Sequence, residues 1–363
     1  MQHHNPLLDH VYSPQKFITF GEIMLRLTPP NYEKIRMANN FEANYGGSEA
    51  NIALALANLG IDSTFFSVVP NNSIGKSAIR MLRSNDVHCT PVILSTPEET
   101  PTHRLGTYYM ETGYGIRASK VIYDRMHSAI TEYDLSRVDL NNLLKDYDWL
   151  HLSGITPALN KSCADFILRA IKTAKELGLT VSFDGNFRSK LWTWEEARDF
   201  CTLCLPYVDV LFGIEPYHLW KDESDHSKGD WKDGVPLQPS YEQQDEIFQR
   251  FIARYPNIKC IGRHVRYAHS GSENSLKALF MWYQGHTFES KLFTFNILDR
   301  IGGGDAFASG LIYAMMHNFK PMDMVNFAVA SSAIKHTIHG DANITDDVKT
   351  IKDLMNMSYD VKR

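Results

Sequence analysis

Asp299-Arg-Ile-Gly-Gly-Gly-Asp-Ala-Phe-Ala-Ser-Gly310 is the stretch that decides how this chain is read. Three consecutive glycines, Gly302, Gly303 and Gly304, run directly into Asp305. Beyond the aspartate, Ala306, Phe307, Gly310, Leu311, Ala314 and Met315 recur at helical spacing. A bare-backbone turn therefore opens a helix and sets a carboxylate at its mouth. Glycine lets a ligand approach the main chain closely, and the exposed N–H groups together with the helix dipole make that mouth an anion site. A carboxylate repels phosphate, so Asp305 gains nothing there as a binding group. It has a use as the base that takes a proton from a hydroxyl attacking that phosphate. The plainer reading of the same residues is a glycine turn with an aspartate cap.

Upstream of this segment, apolar strands alternate with amphipathic helices. Strands are expected at Phe17–Phe20, Thr64–Val69, Trp149–Leu152, Thr180–Asp184, Val208–Phe212 and Lys259–Ile261. Helices are expected at Ile52–Leu59, Ser73–Arg83, Lys161–Leu177, Trp194–Leu203 and Glu242–Arg254, and then from Asp305, Met322 and Asp346. That rhythm predicts an α/β fold, a mostly parallel sheet covered by helices on both faces. Two stretches, about 29–45 and 101–125, are polar, aromatic and glycine-bearing, and they read as a small β-strand lid inserted into one domain spanning 16–355. Residues 1–15 and 356–363 read as tails, and Tyr217–Pro239 as a surface insertion.

The composition fits a globular enzyme: of 363 residues 44% are hydrophobic and 22% charged. A formal net charge of −5 argues against a nucleic-acid partner. No apolar run reaches the length of a membrane span, and Met1–His10 lacks the apolar core of a secretory leader, so a cytoplasmic location is the expectation. The five cysteines form no disulfide framework, and Cys201-x-x-Cys204 falls in a helical stretch, where packing is its expected role. No Gly-x-Gly-x-x-Gly follows the first strand, which disfavours a Rossmann dehydrogenase.

Four further constellations carry chemistry. Gly46-Gly47 precedes a helix of small residues in which Asn51 is polar and needs a partner, either a ligand hydroxyl or a neighbouring loop. Asp184, Asn186 and Arg188 follow a strand at alternate positions, and if extended they would share one side at the C-terminal edge of the sheet, where α/β ligands bind. Tyr123 and Arg125 sit in the lid candidate behind Tyr108 and Tyr109, and Arg125 with Arg188 could grip a substrate carboxylate. Finally, the turn Lys335–Asn343, with His336, Gly340 and Asn343, offers carbonyls and side chains that could line an adenine pocket or hold a monovalent cation such as K⁺. Ligand spacing for a transition metal is lacking there.

These segments together resemble the ribokinase-like (PfkB) family of sugar kinases. Gly46-Gly-Ser-Glu-Ala-Asn51 looks like that family's first signature, and Asp299-Arg-Ile-Gly-Gly-Gly-Asp305 like its second. Within the family, Thr19–Leu27, Ile122–Arg125, Asp184–Trp192 and His336–Asp341 are similar to the 2-keto-3-deoxygluconate kinases. The resemblance implies a three-layer α/β/α core, ATP with Mg²⁺, and phosphorylation of 2-keto-3-deoxygluconate at its 6-hydroxyl. It implies that Gly46, Gly47 and Asn51 meet sugar hydroxyls and that Tyr108, Tyr123, Arg125 and Arg188 surround the acid end. Asp305 would be the base and Gly302–Gly304 the anion hole. Where the family carries Asn-x-x-Glu, this chain reads Ile214-Glu215-Pro216-Tyr217, leaving Glu215 as the candidate to place magnesium through water. Arg266 is the candidate to meet the phosphates. A homo-oligomer formed through the lid is also expected. The alternatives are a kinase of another sugar, such as fructose or ribose, and a non-catalytic sugar-binding regulator.

Overall fold

The computed structural model describes residues 15–214, 231–232, 235–236, 241–282, 285–345 and 347–356. Its core is a twisted sheet of strand order β16-β15-β14-β11-β10-β9-β1-β4, with β17 paired to β15. The parallel part comprises β4 (Asp62–Phe66), β1 (Lys16–Phe20), β9 (Trp149–Ser153), β10 (Thr180–Asp184), β11 (Val210–Phe212) and β14 (Cys260–Ala268). One edge turns antiparallel through β15 (Glu273–Trp282), β16 (His286–Glu289) and β17 (Phe293–Asn296).

Alternation along the strands sets the two core layers. Phe17, Trp149, Val210 and Cys260 face one side, packed on α1 (Ser48–Asn58), α8 (Gly303–Met316), α9 (Pro321–Lys335) and α10 (Val348–Met355). Ile18, Leu150, Leu211 and Ile261 face the other, against α3 (Ala129–Glu132), α4 (Leu140–Leu144), α5 (Lys161–Glu176), α6 (Trp194–Cys204) and α7 (Tyr241–Arg254). Cys201 and Cys204 are buried in this second layer, as the packing expectation had it. Helix starts are chemically specified: Asn160 caps α5, and Thr193 with Glu196 forms a capping box on α6. α2 (Ser73–Arg83), capped by Asn72, covers the β4 end beside a short pair, β5 (Val68–Pro70) and β6 (Ile93–Ser95).

A separate four-stranded sheet, β3-β2-β7-β8, is built largely from the two segments expected to form a lid. Its strands are β2 (Met24–Thr28), β3 (Glu42–Gly46), β7 (Thr107–Glu111) and β8 (Lys120–Asp124). Those segments supply β3, β7 and β8, and the sheet also takes in β2, which directly follows the first core strand. Another short pair is β12 (Trp231–Lys232) with β13 (Val235–Pro236), and most of the Tyr217–Pro239 insertion lies outside the described residues. No helix among the described residues is long and apolar enough to cross a membrane.

Small residues bring α1, α8 and α9 close together. A Cβ added at Gly310 of α8 would lie 2.9 Å from the Ser331 Cβ and 3.0 Å from the Ala328 Cα of α9, closer than packed atoms tolerate. Ala50, Ala53 and Ala57 give α1 the same slim profile. The N-termini of α1 and α8 consequently meet over the C-terminal edge of the parallel strands, where open α/β sheets bind ligands.

Candidate active site

Asp305 lies in the first turn of α8 and is held by the N-terminus of α1. Ser48 Oγ donates to its Oδ1 at 2.7 Å, and Asn51 Nδ2 donates to its Oδ2, also at 2.7 Å. Asn51 thus orients Asp305 with one amide hydrogen, and its Oδ1 accepts from the Gly47 N–H at 3.3 Å. Ser48 escaped the sequence reading, although it lies three residues before Asn51 and so on the same helix face. Asn186 Nδ2 donates to Ser48 Oγ at 3.0 Å, extending the set.

The expectation of an extended 184–188 segment fails. Asn186 is left-handed, with φ 40°, and its N–H donates to Asp184 Oδ1 at 2.9 Å. This local Asx-type turn competes with extension and turns Asn186 toward α1. Arg188 then lies on the surface, its Nη1 donating to the Phe187 carbonyl at 3.1 Å, near enough to Asp184 and Asp305 for its charge to favour their ionised forms.

Three carboxyl groups crowd the floor of this cleft. Burial pushes Asp184 up to about 7, and the charge of Asp305 adds to the shift. Burial likewise raises Glu49 to about 7, against hydrogen bonds from Ser153 Oγ (2.6 Å) and Thr156 Oγ1 (3.1 Å). Asp305 itself is raised by burial, opposed by its bonds from Asn51 and Ser48. Glu49 was not singled out from the sequence, where an acid in an Ala/Leu helix was its only signal. Three guanidinium groups, Arg188, Arg266 and Arg300, lie within electrostatic reach of one another around Arg266. Arg266 is lowered by desolvation and then by the charges of Arg300 and Arg188. Like charges gathered in this way are stabilised when an anion joins them.

The glycine turn divides its labour. Gly302 is left-handed, φ 79°, and a Cβ there would collide with the Asp341 carbonyl. A Cβ at Gly303 would run into the His336 ring. At Gly304 the nearest atom is His264 Cε1, 3.6 Å away, so no protein neighbour demands a glycine. Close approach by a ligand would demand it. At the other turn, a Cβ at Gly46 would collide with the Asp341 carboxylate and one at Gly47 with the Glu22 carbonyl, so packing alone accounts for both.

Other expected site residues are engaged elsewhere. Arg125 directs both Nε (2.7 Å) and Nη2 at Glu22 Oε2, and Ser128 Oγ donates to Glu22 Oε1 at 2.5 Å. It ties the lid to the loop after β1 instead of facing outward with Arg188. Its guanidinium carbon stands 5.7 Å from the ring centroid of the half-exposed Tyr123. The Tyr108 hydroxyl donates to Asp341 Oδ2 deep in the lid–core junction. His336 and Asn343 are buried: His336 Nδ1 pairs with the Ser332 carbonyl (2.7 Å), and Asn343 Nδ2 donates to Ser331 Oγ (2.8 Å). Desolvation lowers His336 to about 4, so it is neutral at pH 7 and supports the glycine turn from behind. Gly340 N–H donates to Asp299 Oδ2 at 3.0 Å. Glu215 lies outside the described residues.

The arrangement can therefore hold an anion over a glycine-opened helix end, with an oriented carboxylate beside it. Residues 14–216 match the family described as pfkB family carbohydrate kinase. The chain is 35% identical in sequence to a crystal structure of 2-dehydro-3-deoxygluconokinase from Thermotoga maritima, with a TM-score of 0.84 over 94% of this chain and 99% of that one. It is 31% identical to a 2-dehydro-3-deoxygalactonokinase of Haloferax volcanii over 92% of this chain and 94% of the relative. It is 24% identical to a 5-dehydro-2-deoxygluconokinase of Clostridium perfringens over 93% and 92%. The motif pair, the fold and these matches agree: the chain belongs to the PfkB family of carbohydrate kinases and is a sugar kinase.

Proposed function

We propose that this kinase transfers the γ-phosphoryl group of ATP to the primary hydroxyl of 2-keto-3-deoxygluconate, giving the 6-phospho acid and ADP. The observation that carries the reaction is Asp305, fixed by Ser48 and Asn51 at the mouth of a glycine-opened helix. Asp305 accepts the hydroxyl proton as the new O–P bond forms and the bond from phosphorus to the β–γ bridging oxygen breaks. The Gly302–Gly304 amides and the α8 dipole stabilise charge on the phosphoryl oxygens. Magnesium, bound with ATP, neutralises phosphate charge. Among the described residues no group of three acids, histidines or cysteines could hold a metal alone, and the ionisation-resistant Asp184 and Glu49 fit a cation that arrives with the nucleotide.

The acid substrate is supported by Arg188, Arg266 and Arg300, more positive charge than a neutral sugar calls for, and by the names of the three relatives given above, each a dehydro-deoxy sugar-acid kinase. In this reading Arg188 is the arginine that meets the sugar carboxylate, Tyr123 lines the sugar, and Arg266 meets the phosphates. The Haloferax relative favours a second reading, the 3-deoxygalactonate epimer. The lid also supports a homo-oligomer, since Phe41, Ile122 and Tyr123 are each about 40% exposed on it, and light scattering would read the mass.

ADP release with Mg-ATP against both 2-keto-3-deoxy acids, 5-dehydro-2-deoxygluconate, fructose, ribose and gluconate tests the substrate. Preference for 2-keto-3-deoxygluconate supports the reading. A higher kcat/KM on fructose or ribose would refute the acid pocket and retain only the kinase.

A further inference from the structure

Behind the glycine turn lies a second cluster of charges, outside the cleft. Lys335, the last residue of α9, is fully buried. Its Nζ donates to the backbone carbonyls of Ile338 (3.2 Å) and Asp299 (3.4 Å). Its Cε stands 3.4 Å from the position a Cβ would take on Gly302, so the ammonium lies directly beneath the turn that opens α8. A second cation, the Arg26 guanidinium, is 2% exposed and bridges Asp299 Oδ2 (2.7 Å) and Asp341 Oδ1 (2.6 Å). Asp299 Oδ1 in turn accepts from the Ile301 N–H at 3.1 Å.

Carbonyl oxygens and a carboxylate converging beneath an anion site form the donor set of a hard monovalent cation. Such an ion was expected from the carbonyl-rich turn Lys335–Asn343. In this chain those oxygens already face two side-chain cations. The Asp341 carboxylate and carbonyl pack against Gly46 and Gly302 so tightly that neither glycine could carry a methyl group. The donor set therefore does not fit an added K⁺.

We infer that Lys335, seconded by Arg26, is a built-in substitute for a monovalent cation, positioning the Asp299–Gly304 turn and making the enzyme independent of K⁺. The ammonium supplies one positive charge to the same carbonyls, carried on the chain and present at any salt composition. Lys335 is a positioning residue, since it reaches the phosphoryl group only through the turn above it. Desolvation lowers its pKa, opposed by Asp299 and Asp341. Nearby Asp305 also favours the charged form.

The test compares K⁺, Na⁺ and tetramethylammonium chlorides at one ionic strength, with ATP as its tetramethylammonium salt. Initial rates and Tm of the wild-type protein should be the same in all three. Lys335→Ala should lose about 10–100-fold in kcat, the scale of a lost supporting contact, and regain part of its rate and Tm with K⁺ or ammonium but not with tetramethylammonium. A purely structural lysine would show no such rescue. Saturable K⁺ activation of the wild-type enzyme, or a K⁺-specific rise in its Tm, would overturn the inference. So would a folded Lys335→Ala that no small cation rescues. If that variant fails to fold, the wild-type measurements decide. If no sugar in the panel is turned over, the substrate assignment has failed and the melting curves still decide this one.

Discussion

Two buried charge clusters flank the same glycine turn, and they are balanced differently. Behind the turn, Arg26 joins Asp299 and Asp341, Tyr108 bonds Asp341, and Lys335 bonds two carbonyls. Burial raises Asp341 and lowers Lys335 here too, but each charge has a partner within the chain. In front, Glu49, Asp184 and Asp305 resist ionisation while Arg266 lies within reach of the like charges of Arg300 and Arg188. That cluster is only partly balanced, by the Arg188 charge on Asp184 and Asp305, until a ligand supplies both a polyanion and its cation. The same residue types hold the fold together in one place and wait for chemistry in the other. Complementation within the chain, more than burial, separates a structural cluster from a functional one.

The sharpest way to break the comparison is to open the balanced side. Asp341→Ala leaves Arg26 buried with half its partners, and removing one member of a buried pair costs about 3–5 kcal/mol. Denaturant unfolding should show that loss, and a change near zero would mean the cluster is not structural. The unbalanced side should answer in rate instead. Gly304→Ala meets no protein atom closer than 3.6 Å, so it should fold with near-normal Tm and lose about 10²-fold in kcat, the scale of one displaced oxyanion donor. Gly302→Ala should instead lower Tm, because its collision is with protein backbone. If the two glycines behave alike, the division of labour between them is wrong.

A smaller effect is expected at Arg188. Arg188→Ala should raise KM for the sugar acid by about 10–10²-fold, the worth of a charged hydrogen bond near 1.5–3 kcal/mol. KM for any neutral sugar turned over should be unchanged, and equal losses on both would remove Arg188 from the carboxylate. The smallest effect is on pH. Glu49 and Asp184 are raised to about 7, above the ~4 of unfolded acids. The ligand-free fold therefore binds more protons than the unfolded chain in between, and its stability should fall as pH rises from about 4 to 7. Glu49→Gln should flatten that fall. Over the same range kcat/KM should rise as the acids ionise, and a profile rising toward acid would contradict the sign.

Much of the architecture was legible in local pattern. Thr180–Asp184 and Ser73–Arg83 are seen with the expected bounds because periodicity and caps agree there. The antiparallel edge was not legible. β14 runs to Ala268 rather than Ile261 because Arg263, His264 and Arg266 interrupt its apolar run while the ladder to β15 continues. In the site, the glycine turn and Asp305 were readable since local backbone chemistry announces them. The intramolecular partners of Arg125 and Tyr108 were not legible, for a different reason. Their partners, Glu22 and Asp341, lie 103 and 233 positions away, and only the folded topology brings them together.

The central claim rests on one carboxylate, and Asp305→Asn tests it most directly. Asparagine keeps the size and can still accept from Ser48, and it removes the base. Measured as ADP release under saturating Mg-ATP and 2-keto-3-deoxygluconate, with sugar affinity followed separately by calorimetry, kcat should fall by about 10² or more while the Kd of the sugar stays near its wild-type value. Near-normal turnover in that variant would contradict the assignment of Asp305 as the base.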